Sequence, residues 1–98
     1  MSLRVHFRPE GEIDIEDASN WYEKQRKGLG YDFLGEVLTV CETFSENPNM
    51  YPAVHRHTRR AVMHRFPFGI YYRIEDKHIV VVAIMHGSRH PKRWKKRT

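Results

Sequence analysis

The chain is expected to fold as an α+β domain in the order β-α-α-β-β-β: a helical hairpin packed on a small antiparallel sheet, followed by a basic C-terminal tail. Apolar residues with helical spacing are confined to the first half, where Gly28-Leu29-Gly30 divides them into two helices. Strand-like stretches are confined to the second half. Phe68–Ile74 alternates there, with Phe68, Ile70, Tyr72 and Ile74 on one face and Tyr71 and Arg73 on the other. Ile79–Met85 is apolar without a break, as in a strand covered on both faces. The polar link Glu75-Asp76-Lys77-His78 between them is short enough to require an antiparallel hairpin.

Each element follows from its residues. Leu3–Phe7 sets Leu3, Val5 and Phe7 against Arg4 and His6, a short strand with one buried face that is expected at the edge of the later meander. Pro9 suits the first turn of a helix, where its missing N–H costs nothing, and Glu10, Glu12 and Asp14 oppose the positive end of the helix dipole. Ile15, Ala18 and Tyr22 then recur at helical spacing beside Trp21 and Gln25, until Arg26, Lys27 and Gly28 end the helix. A second helix runs from Tyr31 to about Glu46, with Leu34, Val37, Leu38, Cys41 and Phe44 as its apolar stripe. Asn47-Pro48 stops it, because a residue before proline avoids helical backbone. Residues 47–57 read as a proline-bearing loop. Thr58–Arg65 reads as a strand with Ala61 and Met63 on one face and Val62 and His64 on the other. The Trp21/Tyr22 and Leu34/Val37/Cys41 groups are expected in the core, and of Tyr71 and Tyr72 one is expected buried and one exposed.

With 98 residues and 40% hydrophobic content, residues 1–98 are expected to form a single domain, the tail 90–98 being its flexible part. One cysteine, Cys41, leaves no internal disulfide, which fits a reducing compartment. No run is long and apolar enough to span a membrane and the N-terminus lacks a signal-peptide apolar region, so a cytoplasmic protein with no membrane partner is expected. The net charge of +5 divides unevenly: 5 Lys/Arg face 10 Asp/Glu up to Tyr51, and 12 face 2 from Pro52 onward. Such a basic half calls for an anionic partner, nucleic acid or acidic protein.

Candidate binding residues are therefore basic. Arg59, Arg60, Arg65 and Arg73 suit bidentate contact with carboxylate or phosphate. Alternation places Arg59 and Arg65 beside Ala61 and Met63 and Arg60 on the opposite face, and one or two of the four are expected in structural ion pairs with the acidic first helix. In the tail, Arg89, Arg93 and Lys95 surround Trp94. Two readings stand: the segment tracks a phosphate backbone with Trp94 stacked on a base, or Trp94 tucks onto the sheet. His86 and His90 lack a nearby carboxylate to orient either ring, and His55 and His57 lack a Cys or Asp companion, so no metal and no cofactor is expected. Cys41 has no basic neighbour on its helix face and reads as core.

The motifs also carry a resemblance that spans nearly the whole chain. Pro9…Asp14-Ile15…Trp21-Tyr22, Gly28-Leu29-Gly30…Phe33-Leu34 and Asn47-Pro48…Tyr51-Pro52 come first. Arg60…Phe66-Pro67-Phe68-Gly69-Ile70-Tyr71-Tyr72 and Val82-Ala83-Ile84-Met85-His86-Gly87…Arg89…Pro91…Trp94 follow in order. Together they resemble the RelE/ParE superfamily, the toxin halves of bacterial type II toxin–antitoxin pairs, with ParE-like members closest. The resemblance implies a cognate antitoxin whose C-terminal segment wraps the toxin, covers part of the sheet or helical hairpin, and neutralises the basic half. It implies operator DNA as a partner only through the antitoxin complex, and a role in plasmid stabilisation.

ParE-like members are known as poisons of DNA gyrase, whereas RelE-like members cut mRNA in the ribosome; one fold serves both. A RelE-type nuclease needs basic groups on the sheet to place the phosphate, activate the 2′-hydroxyl and stabilise charge. Arg89 matches the superfamily's basic residue after the last strand, and it would act with His86 or His90 if the chain were a nuclease. Other positions depart: Gly69 stands where the nucleases carry a strand arginine, Val62 falls near a lysine position, and Trp94 cannot replace the acid–base tyrosine of the C-terminal segment. The departures favour a ParE-like gyrase inhibitor that makes no bonds itself. An mRNA endonuclease and a non-toxic binding remnant are the alternatives.

Overall fold

The computed structural model describes Ser2–Thr98. Strand β1 (Arg4–Phe7) leads into α1 (Pro9–Gln25) and α2 (Leu29–Glu46); β2 (Ala53–His55), β3 (Thr58–Val62), β4 (Phe68–Glu75) and β5 (His78–His86) follow, and α3 (Lys92–Lys95) closes the chain. The five strands lie in the order β1-β5-β4-β3-β2. Strands β2 to β5 pair antiparallel, while β1 returns beside β5 in parallel, Val5 opposite Ile79 and Phe7 opposite Val81. The α+β arrangement of a helical hairpin on a small sheet is the one expected, but the sheet is mixed rather than antiparallel, because β1 joins the meander in parallel beside β5; β5 is thereby flanked on both edges and buried on both faces as its apolar run requires.

The link between the helices depends on two glycines. Gly28 has φ +88°, a left-handed conformation that side chains disfavour. A Cβ on Gly30 would stand 2.4 Å from the Ser19 carbonyl oxygen, so only glycine allows α2 to start this close to α1. The Glu23 carboxylate accepts the Gly28 and Gly30 N–H groups at 2.9 and 3.0 Å, satisfying donors that a helix start leaves open. Both tight hairpin turns likewise use left-handed residues, Arg56 between β2 and β3 and Asp76 between β4 and β5.

A β-bulge governs which residues of β5 face which layer. Tyr71 pairs with Ala83, but Tyr72 pairs with Val81, so Val82 is the extra residue. Before it, Ile79 and Val81 face the helices; after it, Ile84 does; Val80, Val82, Ala83 and Met85 all turn to the opposite side. The main core thus joins Phe33, Val37 and Phe44 of α2 to Ile70, Tyr72, Val81 and Ile84 of the sheet. Tyr72 stacks on Phe44 at 4.1 Å and its hydroxyl donates to the Pro48 carbonyl at 2.7 Å. A second core on the far face joins Tyr71, Val82, Ala83 and Met85 to Trp94 of α3.

Several expectations change. Residues 53–55, read as loop, form edge strand β2, because the turn at Arg56-His57 folds them back onto β3. Tyr71 and Tyr72 are both buried, since Trp94 covers the face on which Tyr71 lies. The buried stripe of α2 is Phe33, Val37, Val40, Cys41 and Phe44, whereas Leu34 and Leu38 are exposed, Leu38 at 59%. The apolar surface of α2 is wider than the arc that α1 and the sheet can cover, and these two leucines lie beyond it. Trp21 is also 58% exposed, on the side of α1 that points along the sheet rather than into it.

Candidate functional site

An open groove of about 810 Å³ runs between α1 and the segment after β5. Asp14, Asp17 and Trp21 of α1 form one wall; His86, Arg89, Arg93 and Arg97 form the other. Ala18, Tyr22, Phe68 and Ile84 supply an apolar floor. The groove exists because the sheet end of β5 and the α3 turn project past α1, so that an acidic helix and a basic tail from opposite ends of the chain face each other.

At the inner end the two walls are locked. The Asp14 carboxylate takes hydrogen bonds from the Arg97 guanidinium at 2.5 and 3.3 Å and from the Ile84 N–H at 2.9 Å. Arg97 also donates to the Val82 carbonyl at 3.2 Å, and its own carbonyl accepts from Arg8 at 3.0 Å. One carboxylate therefore ties α1, the backbone beside the bulge and the C-terminal residues together. Sequence reasoning placed Asp14 only as a dipole partner and Arg97 only as tail charge. The available signal was that Asp14 falls three residues after Gly11 and four before Ala18, both buried, on the inner edge of the helix.

At the outer end the basic side chains are free. Arg89 and Arg93 are exposed and form no salt bridge among the described residues. His86 is held by its turn: its Nδ1 accepts the Ser88 N–H at 3.0 Å, and its ring meets Phe68 edge-on. His90 is held likewise, its Nδ1 accepting the Lys92 N–H at 3.2 Å. Each histidine orders its own turn, and neither is hydrogen-bonded to Arg89 or to the other ring.

The other candidate residues are dispersed. Arg59 faces the helical side and donates to the Tyr51 carbonyl at 2.6 Å and the Asn49 carbonyl at 3.3 Å, bracing the loop before β2. Arg60 lies exposed on the opposite face, its side chain running beside Gly69. Arg65 is exposed, 3.4 Å from Asp32 and 5.3 Å over the Phe66 ring. Arg73 pairs with Glu75 at 2.7 Å. These pairs involve α2 and β4 rather than the first helix, whose half-buried ion pair goes to Arg97 instead. Trp94, at 4% exposure, stacks on Tyr71 at 4.5 Å, so the indole tucks onto the sheet and its face is not offered to a base; Lys95 lies exposed with its Nζ 5.8 Å over that ring. His55 meets Trp94 edge-on from β2, while His57 lies exposed in the adjoining turn.

Burial raises the Cys41 thiol to about 12, with help from Glu42, which fits a packing role. Burial also raises the Tyr72 hydroxyl to about 12, against the opposing pull of Arg59.

The family described as ParE toxin of type II toxin–antitoxin system, parDE, matches residues 5–91. Among solved structures, the chromosomal ParDE toxin–antitoxin system of Pseudomonas aeruginosa is similar with a TM-score of 0.77 at 13% identity, covering 87% of this chain and 96% of that one. The toxin–antitoxin complex RelBE2 of Mycobacterium tuberculosis is similar with a TM-score of 0.65 at 19% identity, covering 88% of this chain and 99% of that one. No curated protein sequence matches. With the family match covering the helical hairpin and nearly all of the sheet, the chain belongs to the ParE toxin family of type II toxin–antitoxin systems.

Proposed function

We propose that this protein is a toxin that acts by binding rather than by bond chemistry, inhibiting DNA gyrase in the cytoplasm until a cognate antitoxin neutralises it. The gene pair serves plasmid stabilisation, and operator DNA is met only through the antitoxin complex. The observation that carries the reading is the register of the sheet. Val62 of β3 pairs directly with Gly69 of β4, so the position matching the nucleases' strand arginine and the one near their lysine face each other without a charge. On that face Arg60 stands exposed, Arg73 is paired with Glu75, His86 and His90 are committed to turns, and Trp94 fills the space above Tyr71. A phosphate there would find neither the charge cluster nor the proton-transfer group that RNA cleavage requires. The exposed arginines, Arg89 and Arg93, instead rim a groove suited to a protein surface.

Induced expression in a bacterium lacking the antitoxin gene tests this, with DNA supercoiling and mRNA integrity assayed in parallel. Growth arrest with intact mRNA and lost supercoiling or double-strand breaks is the expected result. Codon-position cleavage of mRNA would overturn it in favour of an endonuclease built around Arg89. Normal growth with retained antitoxin binding would identify a non-toxic binding module.

A further inference from the structure

We infer that the outer face of α2 is a self-association surface, on which a second copy of this chain packs its own α2 antiparallel across a two-fold axis. The hairpin leaves this face uncovered: Tyr31 is 81% exposed, Leu38 59% and Leu34 37%, and none of them belongs to either core or lines the groove. Tyr31, Gly35, Leu38 and Glu42 recur at steps of four, three and four, so they share one side of the helix, away from buried Phe33, Val37, Val40 and Phe44. The polar groups that flank the apolar residues are already spent. Thr39 donates to the Gly35 carbonyl at 3.0 Å, Asp32 pairs with Arg65 at 3.4 Å, and Glu36 accepts the His64 and Arg65 N–H groups at 3.1 Å.

Charge decides what covers the face, because its two ends carry opposite signs. Lys24, Arg26 and Lys27 stand exposed where α1 passes into α2, and Glu42 and Glu46 stand exposed at the far end of α2. None of the five forms a salt bridge among the described residues. A surface that is basic at one end, acidic at the other and apolar between is complementary to itself when turned through half a revolution, which is the condition for an isologous contact. Parallel packing would instead set like charges together. With the axis between Glu36 and Val37, Gly35 lies opposite the partner's Leu38, Leu34 opposite the partner's Thr39, Tyr31 opposite the partner's Glu42, and Lys27 opposite the partner's Glu46. Gly35 supplies the space for this register: a Cβ there meets nothing within 4 Å, so the partner's Leu38 enters as a knob into a hole. The Tyr31 hydroxyl gains a carboxylate acceptor. At 1.5 Å per residue α2 is about 27 Å long, and one helix pair of that length covers less than the roughly 800 Å² per partner of a standard interface, so the dimer is weak and concentration-dependent. No residue of α2 lines the groove, which stays open in both copies.

The test is sedimentation equilibrium of the full-length chain over a wide concentration range at low salt, where end charges are least screened, with circular dichroism to confirm that each variant is folded. The variants are Leu38→Glu, Gly35→Gln, Lys27→Glu, Glu46→Lys and the last two combined. Gly35→Gln fits the isolated chain, since the position is open and glutamine is the better helix former, yet it fills the hole that the partner's Leu38 needs. The expected result is a reversible monomer–dimer equilibrium in wild type, weakened roughly tenfold or more by Leu38→Glu and by Gly35→Gln. Each single charge reversal should weaken the dimer several-fold, and the combined reversal should restore it, because the exchanged charges face each other again across the axis. A wild type that stays monomeric at every concentration, or a dimer indifferent to Leu38→Glu, overturns the assignment. A combined reversal weaker than either single one overturns the antiparallel register. A monomeric wild type whose binding to the antitoxin is abolished by Leu38→Glu overturns it too and gives this face to the antitoxin.

Discussion

Asp14→Ala is the perturbation on which the architecture of this toxin makes its sharpest demand. The substitution strips the Arg97 guanidinium of its partner at 2.5 and 3.3 Å and leaves the Ile84 N–H without an acceptor. A charge-assisted hydrogen bond contributes about 1.5–3 kcal/mol, and breaking one side of a fully buried pair costs about 3–5 kcal/mol. The side chains here retain 23% and 14% exposure, so water relieves part of that loss. The expected destabilisation is about 2–4 kcal/mol, a fall in Tm of roughly 10–25 °C for a domain of this size. Because Arg97 also holds the C-terminal residues against Val82, the tail should loosen before the sheet does, and trypsin should cut between Lys92 and Arg97 faster than in wild type. Urea denaturation of Asp14→Ala, Arg97→Ala and the double variant supplies the assay. The double variant should lose about 1–2 kcal/mol less than the sum of the singles. A single-variant loss below about 0.5 kcal/mol, or strict additivity, would refute the lock.

Four further outcomes follow from the packing. Gly30→Ala should destabilise by about 1–3 kcal/mol, because the new methyl group must displace the backbone of α1 near Ser19 rather than a flexible side chain; thermal melts measure it. Trp94→Ala should cost about 3 kcal/mol and raise binding of a hydrophobic dye, because it uncovers Tyr71 and Val82 on the far face of the sheet. Cys41 and Tyr72 both have values raised to about 12 from ordinary values of 9.0 and 10.0, so the folded state favours their neutral forms. That contribution is complete below pH 9 and is lost as pH rises toward 12, and a pH series of melts should show the decline in that window, reduced in Tyr72→Phe. Cys41 is buried and its thiol is held protonated at pH 8, so alkylation should wait for unfolding.

What could be read without coordinates was whatever depends on neighbours in the chain. The α1 start at Pro9, the glycine link, the stop at Asn47-Pro48 and the β4–β5 hairpin are local decisions, set by backbone conformation and side-chain period. The buried run of β5 likewise announced a strand with neighbours on both sides. Periodicity cannot say how much of an apolar helix face the rest of the protein covers, which is why Leu34 and Trp21, expected in the core, and Leu38, on the same apolar stripe, are found exposed. It could not locate the bulge at Val82 either, since the run is apolar throughout and a slipped alternation leaves no mark in it.

The candidate site was legible in composition and not in arrangement. That Arg89 and Arg93 are basic, and that the second half of the chain needs an anionic counterpart, follows from the residues alone. Only the tertiary structure placed Arg97 against Asp14, 83 residues away, and thereby separated a spent arginine from two free ones. Only the register set Val62 against Gly69, and only packing turned Trp94 inward onto Tyr71. The physical reason is the same in each case. A charge or a ring carries its chemistry in the sequence, but whether that chemistry is consumed inside the protein or left for a partner depends on which distant groups the fold brings within hydrogen-bonding or van der Waals range.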